Sequence, residues 1–359
     1  MKAAVCRKFK KPLVIEDIRL AAPGPNDIKV KIKACGICHS DIHYIEGAWG
    51  GRLPAVYGHE GAGIVEEVGR NVRHVKPGDH VVVTLIRYCG TCPACSAGDQ
   101  VLCESKFDLS GNSPLSSHKG APIIHGLSTG AFAEYVVVDG SQAVTIPKDV
   151  PFAPASLIGC AVITGMGAVI NTAGVTAGSS VAVIGTGGVG LNSIQGAALT
   201  GASPIIAIDI AKSKLRAAKR FGATHTIDAT ARDVAKTVKQ MTGGRGADYV
   251  FVTVGAKSAI EQAFGLMRRG GNVVLVGIPA LDVRATFDPV YLAADGQRII
   301  GSKMGSSRIR IDVPKIVELY KQGRVKLDEL ITKRYPLEKI NEAISAVVKG
   351  EALRNVIVF

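Results

Sequence analysis

The sequence predicts an α/β protein in which a doubly wound parallel sheet accompanies a β-rich domain, and three observations carry that prediction. From about Ser180 onward, short apolar runs alternate with helical patterns. A glycine-rich turn, Gly185-Thr186-Gly187-Gly188-Val189-Gly190, separates the first of these runs from the helix that follows. The chain before Cys160 has a different texture, with short β-type runs broken by turns. At 359 residues the chain suits two domains of about 100–200 residues each.

Taken in order, the β-type runs of the first part are Ile28–Ala34, Gly61–Val68, Lys76–Val83 (opened by a Pro77-Gly78-Asp79 turn) and Ala133–Val138. Such spacing suggests a compact β-domain with long loops. Strands are then expected at Ser180–Ile184, Pro204–Ile208, Thr224–Ile227, Asp248–Val254, Asn272–Ile278 and Gln297–Gly301. Between them, Lys212–Phe221 turns Leu215 and Ala218 inward and ends at Gly222, while Ser258–Arg269 carries Ile260, Phe264 and Met267 and ends at Gly270-Gly271. Glycine just past a helical pattern is a usual stop. Strands alternating with helices imply a parallel, doubly wound sheet. A last helix is expected at Leu337–Lys349 and a last strand at Asn355–Phe359. The chain should therefore return to its first domain, with divisions at 1–161, 162–303 and 304–359 and a cysteine lobe at 89–103.

Composition narrows the classes. Hydrophobic residues make up 47% and charged residues 20%, which suits a globular protein rather than a disordered one. The net charge of +13 raises nucleic acid as a partner. The basic residues are scattered, however, and the densest group, Lys212, Lys214, Arg216, Lys219 and Arg220, reads as one solvated helix face. No nucleic-acid partner is expected. No charged side chain occurs from Val150 to Ile208, but small and polar residues interrupt each apolar run. That stretch reads as buried strands and loops of an α/β core rather than a membrane span. Met1–Ile18 lacks a hydrophobic signal region, so a soluble, cytoplasmic protein is expected.

The motifs specify chemistry. Cys89, Cys92, Cys95 and Cys103 crowd into one short loop. Disulfides at that spacing would be awkward, whereas four thiolates around one zinc form a closed, structural site. In the glycine-rich turn, Gly185 would make the bend, Gly187 would let a pyrophosphate approach, and Gly190 would allow close helix–strand packing. Asp209 ends the next strand, nineteen residues after Gly190. Its carboxylate can accept hydrogen bonds from a ribose diol and would repel a 2′-phosphate, which favours NAD over NADP. Cys38, His59 and Cys160 could neutralise a second zinc and leave its fourth position open. Spacing alone does not select them over Cys6 and Cys35.

Three segments bear on that choice: Cys35-Gly36-Ile37-Cys38-His39-Ser40-Asp41-Ile42-His43, Gly58-His59-Glu60-Gly61-Ala62-Gly63 and Ile158-Gly159-Cys160. With the cysteine loop, the glycine-rich turn and the ending Leu353-Arg354-Asn355-Val356-Ile357-Val358-Phe359, they resemble the zinc-dependent medium-chain alcohol dehydrogenases. The resemblance spans the chain. It implies a GroES-like catalytic domain joined to a Rossmann domain, two zinc ions and NAD as cofactors, a small-molecule alcohol or aldehyde substrate, and a homodimer or homotetramer with no membrane partner. It further implies that Cys38, His59 and Cys160 hold the catalytic zinc and that Glu60 is an acid able to approach the metal. Asp41 would orient the histidine ligand, and Ser40 and His43 would relay the alcohol proton. His39 and Arg354 would contact the pyrophosphate, and Lys214 would lie near the adenosine ribose. Gly188, Val189, Thr164, Val254, Val276 and Ile278 fall on other coenzyme positions.

Trp49, Leu85 and Phe132 align with the substrate pocket, as does Ile278. Leu85 replaces an aromatic residue of many relatives, which should reshape the pocket. His39 stands where several relatives carry arginine. The linker from Cys103 to Phe132 is shorter than in the longer dimeric relatives, although Ile123-x-His125 and Phe132-x-Glu134-Tyr135 are similar. Competing readings are a glutathione-linked formaldehyde dehydrogenase, a silent NADH-binding relative and, from a different class, a zinc-stabilised nucleic-acid-binding protein. A polyol dehydrogenase would typically replace Cys160 with a carboxylate.

Overall fold

The computed structural model describes residues 1–107, 113–230 and 233–359. The chain divides into two units, one made of Met1–Cys160 and Arg308–Phe359, the other of Ala161–Ser307.

The first unit is organised by the strand Asp27–Gly36. Ile28, Val30, Ile32 and Ala34 are buried, while Lys29, Lys31 and Lys33 alternate with them. This period of two is what a sheet with one buried face requires. Along one edge the strand pairs antiparallel with Glu60–Val68, in a register that sets Gly36 opposite Glu60. Along the other it pairs with Tyr135–Asp139 and, nearer Gly36, with Arg354–Val358. His80–Val83, Ala143–Ile146 and Ile331–Pro336 complete a seven-stranded sheet. A second, six-stranded sheet contains Lys2–Cys6 and Pro122–His125.

Phe152–Thr172 departs from the expectation of strands and loops. It is one helical run of 21 residues, long and apolar enough in composition to cross a membrane, yet 89% of its most apolar 18-residue window is buried inside the fold. Here the small residues that break up the apolar pattern are sites of close packing. A Cβ on Gly159 would come within 2.9 Å of the Val83 carbonyl oxygen.

In the second unit all six strands are parallel, in the order His225–Asp228, Ile205–Asp209, Val181–Ile184, Ala247–Val252, Met267–Leu275, Arg298–Gly301. Strand order reverses between Val181–Ile184 and Ala247–Val252, the kind of switch point where open α/β sheets bind ligands. Helices Gly188–Leu199, Lys212–Arg220, Val234–Met241 and Lys257–Phe264 connect the strands. The last of these stops five residues before the expected Arg269, because Met267 already pairs with Ala247 in the sheet. Arg298–Gly301 is an edge strand, and Ile278, Leu281, Val290, Tyr291 and Ile299 are exposed in the same stretch of chain.

Candidate active site

Cys38 is the residue that caps the helix His39–Glu46. The Asp41 carboxylate, in the helix's first turn, reaches back to accept from the Cys38 amide at 3.2 Å. It also accepts from the Gly58 amide at 2.9 Å and lies 2.9 Å from Nδ1 of His59. Asp41, His59 and Glu60 are fully buried. Asp41 thereby fixes the ring so that Nε2 points away from it, and among the described residues this buried Nε2 has no hydrogen-bond partner. An orphaned buried ring nitrogen is costly unless something binds it. The Sγ atoms of Cys38 and Cys160 and a Glu60 carboxylate oxygen lie with a His59 ring nitrogen, all within 4.8 Å of one another. Zinc bonds of about 2.0–2.3 Å place tetrahedral ligand atoms roughly 3.5–3.8 Å apart, so the cluster fits such an ion.

These four groups hold their protons unevenly. A hydrogen bond from Cys160 and the neighbouring His59 hold Cys38 well below the ordinary thiol range, while Cys160 is pushed well above it. Burial opposes a charged His59, but the Asp41 carboxylate outweighs it and raises the ring's pKa. Burial also pushes Glu60 up to about 7, against the pull of the Arg354 guanidinium paired with it. Gly36 makes room for that pair, since a Cβ there would fall 2.1 Å from a Glu60 carboxylate oxygen. Arg354 is buried, and among the described residues its Nε has no hydrogen-bond partner.

Ser40 and His43 are half-buried on the same helix, whereas His39 is exposed at its first position. The His43 ring lies 4.8 Å from that of Trp49, and the rings of Tyr44 and Tyr57 stack at 5.7 Å. A cavity of about 510 Å³ is lined by Tyr44, Tyr57, Leu85 and Ile124, by the Gly126–Ser128 turn and by Arg52. Leu85 is thus a wall of a cavity. Phe132 is not among its lining residues, being fully buried with its ring and amide against Gly58. Trp49 contributes ring contacts rather than cavity wall. Tyr44, Tyr57 and Arg52 were not legible as lining residues. The tyrosines neighbour His43 and His59 in sequence, which was a usable signal, and Arg52 offered none.

The four thiols of Cys89, Cys92, Cys95 and Cys103 also lie within 4.8 Å of one another. Backbone amides point at the sulfurs, Cys92 donating to Cys89 Sγ and Cys89 to Cys103 Sγ, both at 3.3 Å. Hydrogen bonds led by one from Ser105 lower Cys89 to about 5, while burial raises Cys95 to about 12. All eight cysteines are free of disulfides.

In the second unit the glycine-rich turn takes the form a dinucleotide needs. Gly185 has φ +88°, and a Cβ on Gly190 would sit 1.8 Å from the Gly185 carbonyl oxygen. A Cβ on Gly187 would meet nothing within 4 Å, leaving a backbone that a phosphate can approach. Gly188 and Val189 begin the helix that follows, whose N-terminus favours an anion. Asp209 ends its strand with one carboxylate oxygen accepting from the Thr186 amide and hydroxyl at 2.7 and 3.0 Å, and the other from the Ala211 amide at 2.9 Å. Lys214 and Val254 are half-buried, Val276 and Thr164 buried, and Ile278 is 62% exposed.

Residues 24–148 match a family profile described as an alcohol dehydrogenase GroES-like domain, and residues 188–322 match one described as a zinc-binding dehydrogenase. A probable S-(hydroxymethyl)glutathione dehydrogenase of Schizosaccharomyces pombe is 38% identical over 99% of this chain and 96% of its own length. A solved alcohol dehydrogenase zinc-binding domain protein from Burkholderia ambifaria superposes with TM-score 0.96 at 36% identity, covering 100% of this chain and 98% of that one. Benzyl alcohol dehydrogenase from Acinetobacter calcoaceticus gives TM-score 0.94 at 33% identity, with coverages of 100% and 99%.

Proposed function

The chain belongs to the zinc-dependent medium-chain alcohol dehydrogenases, and from that premise we propose that it interconverts an alcohol and an aldehyde or ketone, with hydride passing to or from NAD. The observation that carries this reading is the buried set Cys38, His59 and Cys160, whose imidazole Nε2 lacks a partner. Two thiolates and one neutral imidazole balance a divalent zinc and leave a position for substrate. Zinc bound there supplies Lewis-acid chemistry, which makes an alcohol hydroxyl easier to deprotonate.

The chain's own residues do the rest. Asp41 holds the His59 ring in orientation, as a carboxylate behind a metal-bound histidine should. Ser40 and His43 are assigned the transfer of the alcohol proton, and Glu60, paired with Arg354, stands beside the ligand atoms as an alternative donor. His39 and the free Nε of Arg354 are assigned to the coenzyme pyrophosphate. Gly185–Gly190 and Asp209 receive the dinucleotide, with Thr164, Lys214, Val254, Val276 and Ile278 around it. The second zinc, at Cys89, Cys92, Cys95 and Cys103, is structural because four thiolates leave no open position.

The cavity favours alcohols larger than ethanol. Its tyrosine, leucine and isoleucine walls suit an aromatic or long aliphatic group, and the benzyl alcohol dehydrogenase likeness points the same way. A glutathione-linked formaldehyde dehydrogenase is the second reading, supported by the Schizosaccharomyces pombe relative. A panel of ethanol, benzyl alcohol, cinnamyl alcohol and S-(hydroxymethyl)glutathione, followed by NADH absorbance, separates the two. Cys160→Ala should abolish turnover while one zinc remains bound. Near-normal activity in that variant would refute the metal assignment. We assign the protein to the cytoplasm, where reduced thiols can hold both metals. We also assign it a homo-oligomeric state, with the exposed edge strand Arg298–Gly301 as support.

A further inference from the structure

Two parts of the cavity lining come from segments far apart in sequence, Leu85 and Leu127–Ser128. One buried side chain ties them together. The Gln142 amide Nε2 donates to the Thr84 carbonyl oxygen at 2.9 Å and to the Ser128 carbonyl oxygen at 2.8 Å. The Thr84 carbonyl shares its peptide plane with the Leu85 amide, so the first bond fixes where the Leu85 side chain begins. A main-chain bond from the Thr84 amide to the Gln142 carbonyl, at 3.0 Å, locks the same pair from the other direction. Gln142 is 1% exposed, and its two donated protons are both spent on these walls.

The second wall needs holding. Leu127 and Ser128 have φ of +51° and +58°, a left-handed backbone that L-residues with side chains adopt only at a cost. The Gln142 bond to Ser128 adds to those within the turn, from the Thr129 and Gly130 amides to the Gly126 carbonyl and from the Thr129 hydroxyl to the Leu127 carbonyl. We infer that Gln142 is a positioning residue that sets the width of the alcohol pocket, and hence the size of alcohol selected, by clamping the Leu85 and Ser128 walls at a fixed separation. This inference rests on reading the cavity as the alcohol pocket.

The test is the ratio of kcat/KM for 1-naphthalenemethanol to that for ethanol, in the zinc-loaded enzyme. Gln142→Met keeps the length of the side chain and removes both donors. The ratio should rise by about five- to twentyfold, within the range that small changes in a pocket produce. KM for ethanol should rise with kcat nearly unchanged, and NADH affinity by fluorescence titration should stay at the wild-type value. Adding Ser128→Gly to Gln142→Met, which makes the left-handed backbone cheap, should return the ratio part of the way. A folded Gln142→Met enzyme with the wild-type ratio, or with kcat and KM lost together for every alcohol, would overturn the clamp. If Gln142→Met does not fold, Gln142→Asn, which reaches only one carbonyl, is read by the same ratio. Leu85→Trp separates the two ideas. Unchanged KM values across the panel would show that the cavity takes no substrate, whereas altered values beside an inert Gln142→Met would remove the clamp alone.

Discussion

Asp41 accepts hydrogen bonds from the Cys38 amide, the Gly58 amide and the His59 ring, so one carboxylate assembles ligands that lie 21 residues apart. Asp41→Asn should weaken catalytic zinc binding by about 10–100-fold, measurable by competition with a metal-buffering chelator. Unchanged affinity would mean that the ring is oriented by something else. At Asp209, both carboxylate oxygens are engaged by Thr186 and Ala211, which fixes the charge at the strand end. Asp209→Gly should lower the preference for NAD over NADP by removing that charge, read as the ratio of kcat/KM for the two coenzymes. A wild-type enzyme faster with NADP would refute the reading. Cys38, His59 and Cys160 were legible only through the resemblance of their three segments to a known family, since spacing alone does not select them over the equally buried Cys6 and Cys35. The pairing of Arg354 with Glu60 could not, since 294 residues separate them and nothing local in either segment names the other.

At the scale of elements, the cysteine lobe is the clearest case of a fold made by its ligands. Its ordered parts are a four-residue helix, Pro93–Ser96, and a single 3₁₀ turn, Gln100–Leu102, far too little to bury a core of their own. Metal binding is therefore folding free energy here. Cys95→Ala should release one zinc per chain and lower the thermal midpoint by several degrees, while Cys38, His59 and Cys160 keep theirs. Differential scanning calorimetry with zinc analysis decides it, and an unchanged midpoint would count against a structural role. The strands of the second unit were legible to within a residue or two at most ends, because buried parallel strands are continuous apolar runs. The helical run Phe152–Thr172 was not. Its glycines read locally as breaks, and only packing against other elements shows them to be close-contact positions.

For the molecule as a whole, the return of the chain to its first unit was legible from a helix and a strand left over beyond the sixth parallel strand. The partner of that last strand was not, because pairing across more than 300 residues leaves no local signature. Stability should also carry a pH signature. His125 is buried with Nε2 2.6 Å from the Thr129 carbonyl oxygen, to which it donates. Burial pushes its pKa down to about 4. The unfolded chain then binds the extra proton first as pH falls. Stability from this group is complete above about pH 6.5 and is lost on the way down to pH 4, by about 3 kcal/mol in all at 1.36 kcal/mol per pKa unit. His74 and His80, also lowered by burial, act in the same direction. Urea midpoints at pH 7 and pH 5 should fall less in His125→Gln than in the wild type, and equal falls would assign the acid sensitivity elsewhere.

Pairing of Arg354–Val358 with Ala34–Gly36 has a consequence for how the protein is made. The second unit, Ala161–Ser307, leaves the ribosome before the strand that completes the first. Between the emergence of Cys160 and that of Arg354 lie roughly 200 residues of synthesis, about 10–40 s at some 5–20 residues per second. Through that interval the nascent chain carries Cys38, His59 and Cys160 beside an unfilled slot in the sheet, with Glu60 lacking its guanidinium. Capture of the catalytic metal in its buried setting therefore belongs to the end of translation or later. Until then the thiols are open to oxidants and to competing metals.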